Sequence, residues 1–125
     1  MIETKKEFVD ALAHVEAIRL VGDAAVREWG GDNIPITLLF SELGRAIVQS
    51  FDELSHDDRA YVFSVVEQGM KAADTALNTA VATGLLEAIS AKTFENPGLA
   101  EKIDVYLGEA SKKYLIAWEQ WLNSR

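Results

Sequence analysis

The sequence has no cysteine, only two prolines and only two histidines in 125 residues. Without thiols there is no disulfide scaffold, thiolate zinc site, iron–sulfur cluster or cysteine nucleophile. No apolar run nears the roughly 18 residues that a membrane span needs. The opening Met1-Ile2-Glu3-Thr4-Lys5-Lys6-Glu7 mixes acids with bases and has no apolar stretch behind it. Neither a signal peptide nor membrane contact is therefore expected, and the expected location is the cytoplasm. Basic residues are also scarce, twelve against twenty acids, for a net charge of −8. That sign repels phosphate backbones, so no nucleic acid is expected as a ligand, and it suits a basic protein partner. At 49% apolar and 26% charged the composition is that of a globular chain, and the length allows one domain spanning residues 1–125.

With so little proline and glycine, the apolar positions recur over long stretches at helical spacing, which predicts an all-α protein. Thr4 with Glu7 has the form of a capping box opening a helix that runs to near Leu20 and carries Phe8, Leu12 and Val15. Gly22-Asp23 reads as a break before a short helix with Val26 and Trp29, and Gly30-Gly31-Asp32-Asn33 as a loop. Pro35 suits a helix start, and Ile36, Leu39, Phe40, Leu43, Ile47 and Phe51 then form one apolar stripe. Ser55 with Asp58 opens the next helix through Met70, and Asp74 caps another that holds Leu77, Val81, Leu85 and Ala88. Phe94-Glu95-Asn96-Pro97-Gly98 is loop chemistry. Ile103, Leu107, Ala110, Tyr114, Ala117 and Trp121 repeat like a seam along a long C-terminal helix, with a kink expected at Gly108. The expected architecture is a compact bundle of five to six helices. Its centre is a hairpin from Ser55 to Ala91 with the dimensions of one helical-repeat unit, and the long C-terminal helix crosses the rest.

Chemistry-bearing motifs are sparse. His14 and His56 have no partner ligand at metal spacing, and Glu67 and Glu87 lack the Glu-x-x-His companions of a di-metal centre. No metal and no cofactor are expected. Ser41, Ser50, Ser64, Ser90 and Ser111 all fall within helices, away from any nucleophile elbow. Gly30-Gly31 lacks the frame of a phosphate loop. Trp29, Trp118 and Trp121 read first as core packing, ahead of a ligand pocket, and Trp118 or Trp121 as a partner anchor if exposed.

Charge distribution is more informative than any motif. Residues 51–98 hold eight acids and three bases, whereas 1–50 hold eight and five and 99–125 hold four of each. Asp52, Glu53, Asp57 and Asp58 crowd one helix connection, with Glu67, Asp74 and Glu87 on the helices that follow. These seven are the candidate partner-binding residues. One reading makes them a solvated rim with N-terminal caps, the other an acidic docking face that steers a cationic protein.

Trp29-Gly30-Gly31, the segment Val62 to Glu67 and the segment Asn78 to Glu87 carry a resemblance. They resemble an uncharacterised bacterial all-helical family in which an aromatic-containing helix ends in glutamate and the next helix bears an asparagine and a small-Leu-Glu ending. Members are often encoded beside polymorphic toxins, so the resemblance implies an immunity-protein role, and it implies no catalytic residue. Glu67, Asn78 and Glu87 fit either a buried hydrogen-bonded set joining two helices or a face turned to a partner.

The leading expectation is a non-enzymatic acidic binding protein that occludes the active or substrate-binding face of a basic toxin such as a nuclease. The first alternative is a homodimeric or higher structural module paired through Tyr114, Trp118 and Trp121. The second is a small-molecule enzyme with Glu67 or Glu87 as base.

Overall fold

The computed structural model describes residues 1–31 and 33–125, so Asp32 of the expected Gly30–Asn33 loop lies outside the described residues. The fold is all-α, and the described residues contain no strand. They form seven helices rather than five or six: α1 (Lys5–Leu12), α2 (Glu16–Glu28), α3 (Ile36–Ser50), α4 (His56–Met70), α5, α6 (Pro97–Asp104) and α7 (Glu109–Asn123). Helix α5 is continuous but composite: α-helical over Thr75–Ala80, π-helical over Val81–Leu86 and α-helical again over Glu87–Thr93. No helix is long and apolar enough to cross a membrane among the described residues.

Two breaks fall in other places than expected, and the second of them adds a helix. Thr4 does cap α1, its hydroxyl oxygen accepting from the Glu7 amide at 3.1 Å, but the helix stops at Leu12. Gly22, expected to end it, is buried inside α2, where an added Cβ would sit 3.3 Å from Leu43. It is there to let α2 approach α3, while the true break at Ala13–Val15 has neither glycine nor proline to announce it. Likewise the C-terminal seam is two helices, α6 and α7, with Gly108 as the extended N-cap of the second. Asn96 opens α6 by accepting from the Leu99 amide at 3.2 Å, with Pro97 at the first position. Of the residues read as a loop, Phe94, Glu95 and Asn96 do form the connection, and Pro97 and Gly98 begin α6.

Helix α3 lies at the centre, with Leu39, Phe40, Leu43 and Ile47 of the predicted stripe buried and Ile36 half-buried. It packs on α2 along one side and on α5 along the other. The α3–α5 crossing is close enough to exclude side chains. A Cβ on Gly44 would lie 2.5 Å from the Leu85 carbonyl oxygen, and one on Gly84 would lie 2.9 Å from the Thr37 carbonyl oxygen. Here α5 turns π-helical, and Ser41 donates its hydroxyl to the Gly84 carbonyl at 3.3 Å. π-Bulges often mark functional sites, but this one is explained by packing, since both helices bury backbone against backbone.

Helix α7 uses a narrower seat than the expected seam. Ser111 and Leu115 are its buried residues, Tyr114 and Trp118 are half-buried, and Ala117 and Trp121 face solvent.

Candidate functional site

The connection between α3 and α4 brings Asp52, Glu53, Asp57 and Asp58 together, all exposed. Local rules build it. Phe51–Glu53 make one 3-10 turn, Leu54 extends, and Ser55 caps α4 by accepting from the Asp58 amide at 3.1 Å. Asp57 and Asp58 occupy the first turn of α4, where carboxylates favour the positive end of the helix dipole.

What lies beneath holds the turn still. Phe51 is fully buried, with Phe63 and Tyr106 against its ring at centroid distances of 6.2 and 5.8 Å. The Arg59 guanidinium stacks 4.2 Å over the same ring and Nε donates to the Phe51 carbonyl at 2.9 Å. Arg59 is thus spent on bracing the turn. His56 Nδ1 and the Tyr106 hydroxyl share a hydrogen bond of 2.7 Å, which fastens the start of α4 to the turn after α6. Among the four carboxylates and the described residues, Asp52 alone forms an ion pair, with Lys102 of α6 at 3.5 Å.

The other three candidate acids are elsewhere. Asp74 caps α5 by accepting from the Leu77 amide at 3.1 Å. It sits beyond the far end of α4, a 15-residue helix that is about 22 Å long at 1.5 Å per residue. Glu67 is turned inward, its side chain 14% exposed, and its carboxylate accepts from the first turn of α7. The Ala110 amide reaches Oε2 at 2.7 Å, and the Ser111 amide and hydroxyl reach Oε1 at 3.0 and 2.8 Å. Burial alone would raise its pKa, but these bonds and Lys71 at 3.7 Å outweigh burial and hold the carboxyl below its ordinary value. Gly108 belongs to the same arrangement, because a Cβ there would lie 2.3 Å from Glu67 Cδ.

Glu87 accepts from the Tyr114 hydroxyl. Burial first, then this acceptor and its charge, push the Tyr114 phenol above its ordinary range. Asn78 donates to the Met70 carbonyl at 3.2 Å and so does join α4 to α5. Glu67, Asn78 and Glu87 therefore do not form one hydrogen-bonded set. Each makes a separate tie, and the two carboxylates both grip α7.

Neither histidine is placed for metal chemistry: His14 is exposed beside Tyr61, and no group of three candidate ligands stands together among the described residues. Every buried side-chain nitrogen and oxygen in the described residues has a hydrogen-bond partner.

Sequence reasoning missed a groove bounded by the C-terminal half of α5, α6 and α7. A cavity of about 390 Å³ there is floored by Ile89, Ile103, Leu107, Leu115 and Ile116. A second, of about 290 Å³, continues it past Phe94 and Leu122, and the two share Ser90, Thr93, Ala100 and Glu119 as walls. Phe94 is 81% exposed and Ile116 57% exposed. The available signal was Asn96-Pro97 as a helix start followed by Leu99 and Ile103, which makes α6 a wall instead of a loop.

No protein-family model, curated protein or solved structure matches this chain.

Proposed function

We propose that the protein is a non-enzymatic binding module that docks a basic protein partner through the acidic α3–α4 turn. The observation that carries this reading is how the turn is braced: four exposed carboxylates within seven residues sit on a buried ring, a cap and a spent arginine. Charges held in place by their own fold steer an encounter and fix its orientation without an ordering cost at binding. Glu67 and Glu87, with their acceptors engaged by α7, leave the docking set, and Asp74 stands apart from it. In this reading the α4–α5 hairpin, of the size of one helical-repeat unit, is the scaffold. The partner is a cationic toxin, for which a nuclease is the natural case because its substrate-binding face is itself basic. The protein then acts as an immunity protein in the cytoplasm, covering that face.

The test is association with the protein encoded next to it, measured at low and high salt for the native chain and for Glu53→Lys/Asp57→Lys. Electrostatic steering predicts a fall in association rate of about tenfold or more in the variant and a flattened salt dependence. Association that ignores both the substitutions and the salt would overturn the reading.

A second reading, a homo-oligomer paired through α7, is favoured by one observation. Trp118 and Trp121 stack at 5.2 Å on the C-terminal half of the helix, with Trp121 50% exposed and Arg125 over its ring at 4.8 Å. Light scattering separates the two readings, because a monomer at tens of micromolar removes the second.

A further inference from the structure

The groove between α5, α6 and α7 is an apolar recess that shares an element with the acidic turn. Lys102 of α6 reaches Asp52 on the turn, while Ile103 of the same helix floors the groove. The rim of the groove carries Glu101, Asp104 and Glu119 against a single cation, Lys112. That cation is already paired, 3.9 Å from Asp104, so the rim presents excess negative charge around an apolar floor.

We infer that this groove seats an amphipathic basic helix of the partner, its apolar side chains on Ile103, Leu115 and Ile116 and its lysines or arginines toward Glu101 and Glu119. The occupant is a helix because the walls are helices whose backbone groups are already bonded and offer an extended strand nothing to pair with. A helix satisfies its own peptide groups and enters an apolar groove without leaving any unpaired. Its charge follows from the rim: a second copy of this chain, at −8 overall, would set acid against acid there, and a basic helix would not. The inference rests on the reading of the protein as a binder of a basic partner and adds to it the apolar anchor that an acidic turn lacks. Charged rims set approach, and desolvated apolar centres supply most of the residence time.

The test uses the full chain labelled at isoleucine methyl groups and titrated with a synthetic amphipathic helix of leucine and lysine. Ile89, Ile103 and Ile116 are expected to shift while Ile2, Ile34 and Ile47, which lie in the core away from the groove, stay still. Ile116→Glu, at an exposed position that the fold does not depend on, should weaken the complex roughly tenfold or more. Glu101→Lys/Glu119→Lys should remove its salt dependence. Equal shifts with a leucine and glutamate helix would overturn the inference, and so would shifts spread over the other isoleucines. A peptide-free dimer by light scattering that Ile116→Glu dissociates would also overturn it. The same titration on Glu53→Lys/Asp57→Lys separates the two claims. Groove shifts that persist there support the inference whatever becomes of the acidic turn, and their absence from native and variant chains alike overturns it while the turn's kinetics still stand.

Discussion

Two helices cross the body of this protein by opposite means. Helix α5 meets α3 with nothing between them: Gly44 and Gly84 leave no room for a Cβ on either side, and Leu85 and Val81 are fully buried around the contact. Helix α7 is held by polar ends, with the Glu67 carboxylate across its N-terminus and Glu87 on Tyr114, and only Ser111 and Leu115 are buried. The first contact draws on dispersion and apolar burial, which fall off steeply with any added volume. The second draws on charge-assisted hydrogen bonds, which are fewer, directional and sensitive to pH. A molecule built this way has a rigid centre and an edge whose position is set by a few titratable atoms. The groove borders that edge.

The largest effect is expected at the crossing. Gly44→Val places a branched side chain against the Leu85 carbonyl oxygen, at 2.5 Å for the Cβ alone, and backbone cannot swing aside as a side-chain tip does. Overpacking of this kind costs about 3 kcal/mol, only partly offset by the better helix propensity of a non-glycine residue. Thermal unfolding should show a midpoint lowered by about 10 °C. An unchanged midpoint would mean that the helices are not in backbone contact.

An intermediate effect is expected where α7 is seated. Glu67→Ala removes the acceptor of three hydrogen bonds and should cost about 2 to 3 kcal/mol. Gly108→Ala forces the same carboxylate aside and should cost about 1 to 2 kcal/mol. Because both lesions destroy one arrangement, the double variant should be little worse than Glu67→Ala alone, and full additivity in the cycle would refute the shared role. The tie also has a pH signature. The folded-state pKa of Glu67 lies below its ordinary 4.5. Its contribution is therefore complete above that value and is lost as pH falls through the lower folded one. Glu67→Gln should show less acid-induced loss of stability below pH 4.5 than the native chain, read as a narrower gap between the two at low pH.

How much of this was legible in the sequence depended on whether the cause was local. The caps at Thr4, Ser55 and Asp74 form as their spacing predicts, because a cap needs only residues within one turn. The α3 stripe was readable for the same reason. Gly22 misled because a glycine that admits a neighbouring helix looks in sequence like one that ends a helix, whereas Gly108 does mark a break, a full one in place of the expected kink. The α7 seam failed because its period was right and its partner wrong. Only Ser111 and Leu115 face the core, since Glu67 fixes the rotation of the helix, and that contact spans 44 residues of sequence. Of the seven candidate acids, the four close in sequence also meet in space. Glu67 and Glu87 fitted a buried set or a partner face equally in sequence, and both are turned to α7 by groups no local pattern contains.

The smallest effect is expected at the far end of α7, beyond the last polar tie. Trp121 is half exposed and its ring meets Trp118 on the same helix and Arg125 just past the helix end. Contacts within one helix face stabilise that helix by only a few tenths of a kcal/mol and add nothing to the seat against α4 and α5. Trp121→Ala should therefore change the unfolding free energy by less than about 0.5 kcal/mol, within the range of ordinary surface substitutions. A larger loss in dilute monomer would show that the distal half of α7 is packed as firmly as its start, and the contrast between centre and edge would fail there. A loss that appears only as protein concentration rises would instead place Trp121 between two copies of the chain, because only an association equilibrium makes stability depend on concentration.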